Sequence, residues 1–180
     1  HKKLDTNDLK ELFNMKFAEY DKNNDQHFNL ISALHKSLRA SDTDASLYWL
    51  ARMLSSGEDP NIILRRLLRF SIEDVGLSEP NAVQLSVASW QAYERLGSPE
   101  GELTIAQLVI YLATCPKSNT TYKAWNEVLM FNNKNPFGVP PLSLLNAPTN
   151  LMKKFDYGKG YIYDHDVENS FSGQNCFPEN

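Results

Sequence analysis

Residues 29–54, NLISALHKSLRASDTDASLYWLARML, decide the fold class. Ile31, Leu34 and Leu38, with Phe28 just before them, recur at the three- and four-residue steps that bring side chains onto one face of an α-helix. This spacing predicts a helix from about His27 to Ala40. The polar turn that follows carries Asp42 and Asp44, either of which can accept hydrogen bonds from the free N–H groups opening the next helix. That helix is expected to stop at Gly57. The stretch thus specifies two amphipathic helices and contains no catalytic group.

Toward the N-terminus, Thr6 or Asp8 caps a helix running to about Glu19, with Leu9, Leu12, Phe13 and Phe17 on one stripe. Toward the C-terminus, three segments share a punctuation. Asp59-Pro60 opens one that closes at Gly76, Glu79-Pro80 opens one that closes at Gly97, and Ser98-Pro99 introduces a third. Proline suits the first helical turn, where its missing N–H has no partner to lose, and glycine supplies the left-handed residue that ends a helix. In the segment from Pro80, Ala82, Leu85, Ala88, Ala92 and Leu96 form one stripe with Val83, Val87 and Trp90 beside it, the pattern of a central helix. The run LVIYLA at 108–113 continues the helical stripe of Leu103, Ala106, Val109, Ile110 and Ala113, so helix is preferred there to a buried strand. Another helix is expected over about Ser118 to Phe131 and a short one over Ala147 to Phe155. From Tyr157 the texture changes to glycine and aromatics. The fold class is all-α: a compact array of antiparallel helices with a short irregular or β-like Gly/Tyr segment near the C-terminus.

The chain of 180 residues is long enough for one well-buried domain, since chains of this size remove roughly 70% of their unfolded surface from water. With 22% charged and 11% aromatic residues, neither disorder nor a fibrous repeat is indicated. A net charge of -4 excludes a broadly basic nucleic-acid domain, so such contact must rest on a local patch. Cys115 and Cys176 lie far apart, there is no leader-like stretch, and no apolar run could cross a bilayer. The expected setting is intracellular, without a membrane partner. The chain opens at His1 with a lysine pair and no methionine, and reads as a piece of something longer, His1 being a tag remnant.

Single motifs that could carry chemistry fail on inspection. Asp21, Asn23 and Asp25 have the opening spacing of a calcium loop, but Gln26 stands at the glycine position and Ser32 at the bidentate glutamate. His27 and His35 are two helical turns apart and have no metal-ligand neighbours, and His165 between Asp164 and Asp166 reads as surface. Gly158-Lys159-Gly160 is followed by Tyr161 and Ile162, not by the sequence of a phosphate loop. No metal, cofactor or catalytic residue is therefore assigned. Arg65, Arg66 and Arg69 form the densest basic cluster. Arg65, Arg69 and Glu73 at four-residue steps read as a charge ladder on a solvated face, and guanidinium contact with phosphate or across a subunit interface stays open. Lys153, Lys154 and Lys159 are a second candidate patch for DNA or interface contacts. Tyr48, Trp49, Trp90, Tyr93, Tyr122 and Trp125 are read as core, while Trp90, Tyr93, Tyr122 and Trp125 are also candidate oligomer-interface aromatics.

Four linked strings carry a resemblance: YDKNNDQHFNLISALHKSLRASDTDASLYWLARML, GEDPNIILRRLLRFSIEDVGLSEPNA, GELTIAQLVIYLATCPKSNTTYKAW and VPPLSLLNAPTNLMKKFDYGKGYIYDHD. Together they span roughly Tyr20 to Asp166 and resemble the C-terminal region of the replication-associated recombination protein A family of AAA+ ATPases, which includes maintenance-of-genome-stability proteins and the Werner-helicase-interacting ATPase. The loop Asn132 to Pro136 and the tail after Asp166 depart from the family pattern. The resemblance implies that residues 1–19 end the helical lid of the ATPase, that 20–166 form an all-helical oligomerisation domain, and that 167–180 are an irregular tail. It implies a homotetrameric parent acting like a clamp-loader relative at stalled forks, alongside DNA and single-strand-binding protein. ATP and magnesium belong to that parent, in the nucleus of a eukaryote or the cytoplasm and nucleoid of a bacterium. No phosphate loop or acidic magnesium motif occurs in these residues, so no ATPase residue carries over.

Overall fold

A computed structural model of the chain describes residues 27–135 and 138–178. Among them there are helices and turns but no strand, as the all-α expectation required. The expected helix ending at Glu19 and the Asp21–Asp25 turn lie outside the described residues. Two compact units divide at Trp125 and Asn126.

The first unit contains α1 (27–39), α2 (Thr43–Ser55), α3 (Pro60–Phe70), α4 (Asn81–Leu96), α5 (Glu102–Thr114) and the start of α6 (Thr120–Lys134). Asp42 caps α2, its carboxylate accepting from the Ala45 N–H at 2.9 Å. Ser37 and Ser46, both buried, bring α1 and α2 close, with their hydroxyl oxygens 3.1 Å apart. Asp59 caps α3 through the Asn61 N–H at 2.9 Å, and Pro60 occupies the first turn. Sequence punctuation thus becomes helix ends. After Phe70 the chain widens into a π turn, Ser71–Val75, which the apolar pattern did not reveal, and then a tight turn through Gly76.

Helix α5 lies at the centre. It packs on α2, α3 and α4, and Ile105, Leu108, Val109, Leu112 and Ala113 are all withdrawn from water. LVIYLA is helical, as preferred. Helix α4 packs on α5, α3 and the π turn, but the faces expected to be buried are corrected: its buried residues are Ala82, Ser86 and Ser89, whereas Val87, Ala88 and Leu96 are exposed. The Ser86 hydroxyl is satisfied within the helix by the Ala82 carbonyl at 2.7 Å. Of the four residues placed on one face of α1, Ile31, Leu34 and Leu38 are buried and Phe28, in the first turn, is exposed. Lys117 closes the C-terminus of α5, its ammonium donating to the carbonyls of Ala113 at 3.0 Å and Cys115 at 2.6 Å.

The second unit runs from Asn126 and holds the rest of α6 and the short α7 (Asn150–Lys154), capped by Thr149. The Gly/Tyr segment is irregular. The Gln174 carboxamide accepts from the Ile162 N–H at 3.3 Å and donates to the Ile162 carbonyl at 2.8 Å. One side chain therefore satisfies the backbone groups that a neighbouring strand would have paired.

Candidate functional site

The three arginines of α3 do not form one patch. Adjacent helical residues point about 100° apart, so Arg65 and Arg66 meet different neighbours. Arg66 turns toward α1. There it lines a polar cavity of about 260 Å³ with Ser32, His35 and Arg39, and with Arg69 and Glu73 from its own side. Arg65 lines an apolar groove of about 490 Å³ with Leu68, Ile72, Tyr122 and Trp125. Arg69 borders both and is engaged by Glu73, Nε to Oε2 at 2.7 Å, so the expected ladder is realised at this pair.

The cavity combines groups that sequence reading kept apart. Arg39 grips Asp74 with two contacts, Nε to Oδ1 at 2.6 Å and Nη2 to Oδ2 at 3.3 Å. His35 stands edge-on to Phe70, with ring centroids 5.7 Å apart. The shielded His35 Nε2 and Arg66 Nε have no hydrogen-bond partner among the described residues. Burial lowers the His35 pKa from its ordinary 6.5, Arg39 lowers it further, Asp74 opposes, and Arg66 and Arg69 add smaller lowering effects. The signal for this constellation was present as two stripes, Ser32/His35/Arg39 and Arg66/Arg69/Glu73. Only the packing of α1 against α3 makes them one site.

The lowered His35 pKa sets a pH dependence. Below 6.5 the unfolded chain takes up a proton at this ring that the folded chain resists, so the unfolded state binds more protons there. Stability is therefore expected to be greatest above pH 6.5 and to fall as pH drops through 6.5 toward the lower folded value. Urea unfolding midpoints of the native chain and of His35→Gln across this range check it. An unchanged slope in the variant contradicts the assignment.

The candidate interface aromatics also separate. Trp90 and Tyr93 are half-buried against the core, the indole N–H of Trp90 donating to Asn61 Oδ1 at 3.0 Å and the Tyr93 hydroxyl lying 3.2 Å from Ser98 Oγ. Tyr122 and Trp125 are 48% and 61% exposed, and Tyr48 is exposed too, which corrects their reading as core. Lys153, Lys154 and Lys159 are all exposed in the second unit. Lys159 pairs with Asp156 at 2.9 Å. His165 stacks edge-on to Tyr163 at 5.1 Å, while Asp164 is held below the usual carboxylate range by hydrogen bonds from Ser172. Among the described residues no three His, Cys, Asp or Glu side chains could share a metal ion, and no helix is long and apolar enough to cross a membrane.

Residues 40–180 match the family described as MgsA AAA+ ATPase C terminal, and residues 1–39 match the AAA C-terminal domain. The chain is 48% identical over 179 residues to the replication-associated recombination protein A of Haemophilus influenzae, a match covering 98% of this chain and 40% of that protein. It is 49% identical over 161 residues to the protein of the same name from Coxiella burnetii, covering 89% of this chain and 37% of that one. Against the ATPase WRNIP1 of Dictyostelium discoideum it is 42% identical over 146 residues, covering 81% and 17%. The chain thus spans 40% or less of the length of these curated relatives.

Proposed function

The chain belongs to the MgsA AAA+ ATPase C-terminal family, as the resemblance implied, and on that premise we propose that it is the non-catalytic self-association region of a clamp-loader-like ATPase serving replication-fork maintenance and recombinational repair. The ATPase core of the full-length protein holds ATP and magnesium, and this region gathers the cores into a homotetramer. DNA and single-strand-binding protein are partners of that assembly inside the cell.

One observation carries this proposal. Helix α6 has 15 residues and buries none of them, although it bears Tyr122, Trp125, Val128, Leu129, Met130 and Phe131. Apolar side chains concentrated along one exposed helix are the usual mark of a surface that another molecule covers. Their transfer out of water favours association without requiring any convergent polar group.

Sedimentation equilibrium tests it. The 20.5 kDa chain is expected to sediment as a tetramer, and Trp125→Glu with Leu129→Glu, one turn apart on α6, to shift it toward the single-chain mass without loss of helical circular dichroism. A native chain that remains a monomer at tens of micromolar overturns the proposal. A second role, direct nucleic-acid contact, is favoured by Lys153 and Lys154. Both are exposed in the last turn of α7 and, among the described residues, neither is paired with a carboxylate.

A further inference from the structure

We propose that the cavity between α1 and α3 is a binding site for a phosphate group, with Arg66 as its principal anchor and His35, Ser32 and Arg39 as further donors. The local charge leaves a place for an anion. Asp74 engages Arg39 and Glu73 engages Arg69, whereas Arg66 has no ion-pair partner among the described residues. Its side chain lines the cavity, and its Nε, closed to water as the side chain now lies, has no acceptor among the described residues, so no hydrogen bond there opposes a turn of the guanidinium toward a ligand. An anionic oxygen is the strongest acceptor a guanidinium can find.

His35 repeats the pattern. Its ring lines the cavity and its Nε2, closed to water, has no partner among the described residues; in the tautomer carrying hydrogen on that nitrogen, a small rotation of the ring lets it donate to the same ligand. Ser32 adds an exposed hydroxyl at the rim. Arg39 spends Nε and one Nη2 hydrogen on Asp74, leaving its other Nη hydrogens free for a second acceptor. Glu73 opposes an anion, but Arg69 holds its carboxylate at 2.7 Å and offsets most of its charge.

Size narrows the ligand. About 260 Å³ falls below the roughly 300–1,000 Å³ of sites that enclose drug-sized molecules. The cavity therefore suits one phosphate group, free or belonging to a nucleic-acid backbone that otherwise lies outside. A bound anion also stabilises the imidazolium form, so occupancy raises the His35 pKa. This gives a signal located at the site itself.

The test follows the His35 ring resonances of the full chain by NMR during titration with inorganic phosphate, with a single-stranded oligonucleotide, and with chloride at matched ionic strength. A saturable shift is expected with phosphate or oligonucleotide and none with chloride. Arg66→Gln should weaken binding about tenfold or more, because a hydrogen bond to a charged group is lost. Saturation by inorganic phosphate at millimolar concentration identifies the free anion as the source. Saturation by the oligonucleotide alone identifies the nucleic-acid backbone. Should Arg66→Gln fail to fold, Ser32→Glu places a carboxylate at the exposed rim and should abolish the shift. No saturable shift with either phosphate source, or equal affinity in the folded variants, overturns the proposal.

Discussion

Phe70→Ala is expected to lower the unfolding free energy by about 3–5 kcal/mol, the usual range when a fully enclosed phenylalanine is truncated and its cavity stays open. Phe70 ends α3, is completely buried, and belongs to the core that α1, α2, α3 and α5 share. Its ring also supports His35 edge-on, so truncation removes one wall behind the polar cavity. Against a total stability of about 5–15 kcal/mol, such a loss is a large share. Urea unfolding at one fixed protein concentration measures it, because any self-association adds a concentration-dependent contribution. Leu77→Ala is the comparison: this side chain is 77% exposed, and the change should stay within about 0.5 kcal/mol. Equal losses in the two variants would refute the assignment of the core.

The difference between Phe70 and Leu77 shows what hydrophobicity alone leaves undecided. Helix ends were legible because they are local chemistry: Asp42 and Asp59 cap, Pro60 starts a turn, and Gly57 and Gly97 stop helices with φ of 79° and 69°. Burial is decided by partners distant in sequence. In α4 the leucine and valine stripes were the obvious candidates, yet the buried positions are Ala82, Ser86 and Ser89, while Leu85 is only partly buried and Val87 and Leu96 are exposed. In α6 the stripe of Tyr122, Trp125 and Leu129 was read correctly as apolar and helical but faces outward. The same limit applied to the cavity. Arg66 and Arg69 were recognised as basic, but their meeting with Arg39 and His35 depends on how α1 crosses α3. The π turn from Ser71 to Val75 shifts Asp74 into reach of Arg39, and no residue pattern announced it.

Gly76→Ala is expected to cost about 2–4 kcal/mol, by two effects that add. Gly76 has φ 55° and ψ -139°, a combination that side chains with a Cβ adopt only under strain of about 1–3 kcal/mol. A Cβ placed there would also stand 2.8 Å from the Ser118 carbonyl oxygen, a backbone atom that cannot rotate away. Ser118 is held in turn by its N–H bond to the Asp74 carbonyl at 2.8 Å, so relief of the contact must move either the chain entering α6 or the π turn. Gly57→Ala separates the two effects. Gly57 has φ 79° with nothing within 4 Å of the added carbon, so only conformational strain applies, about 1–2 kcal/mol. Denaturation should rank Gly76→Ala as clearly the more damaging, and equal losses would remove the steric part of the explanation. Because the π turn also carries Asp74 to Arg39, Gly76→Ala should further loosen that ion pair and weaken phosphate binding in the cavity, whereas Gly57→Ala should leave it unchanged.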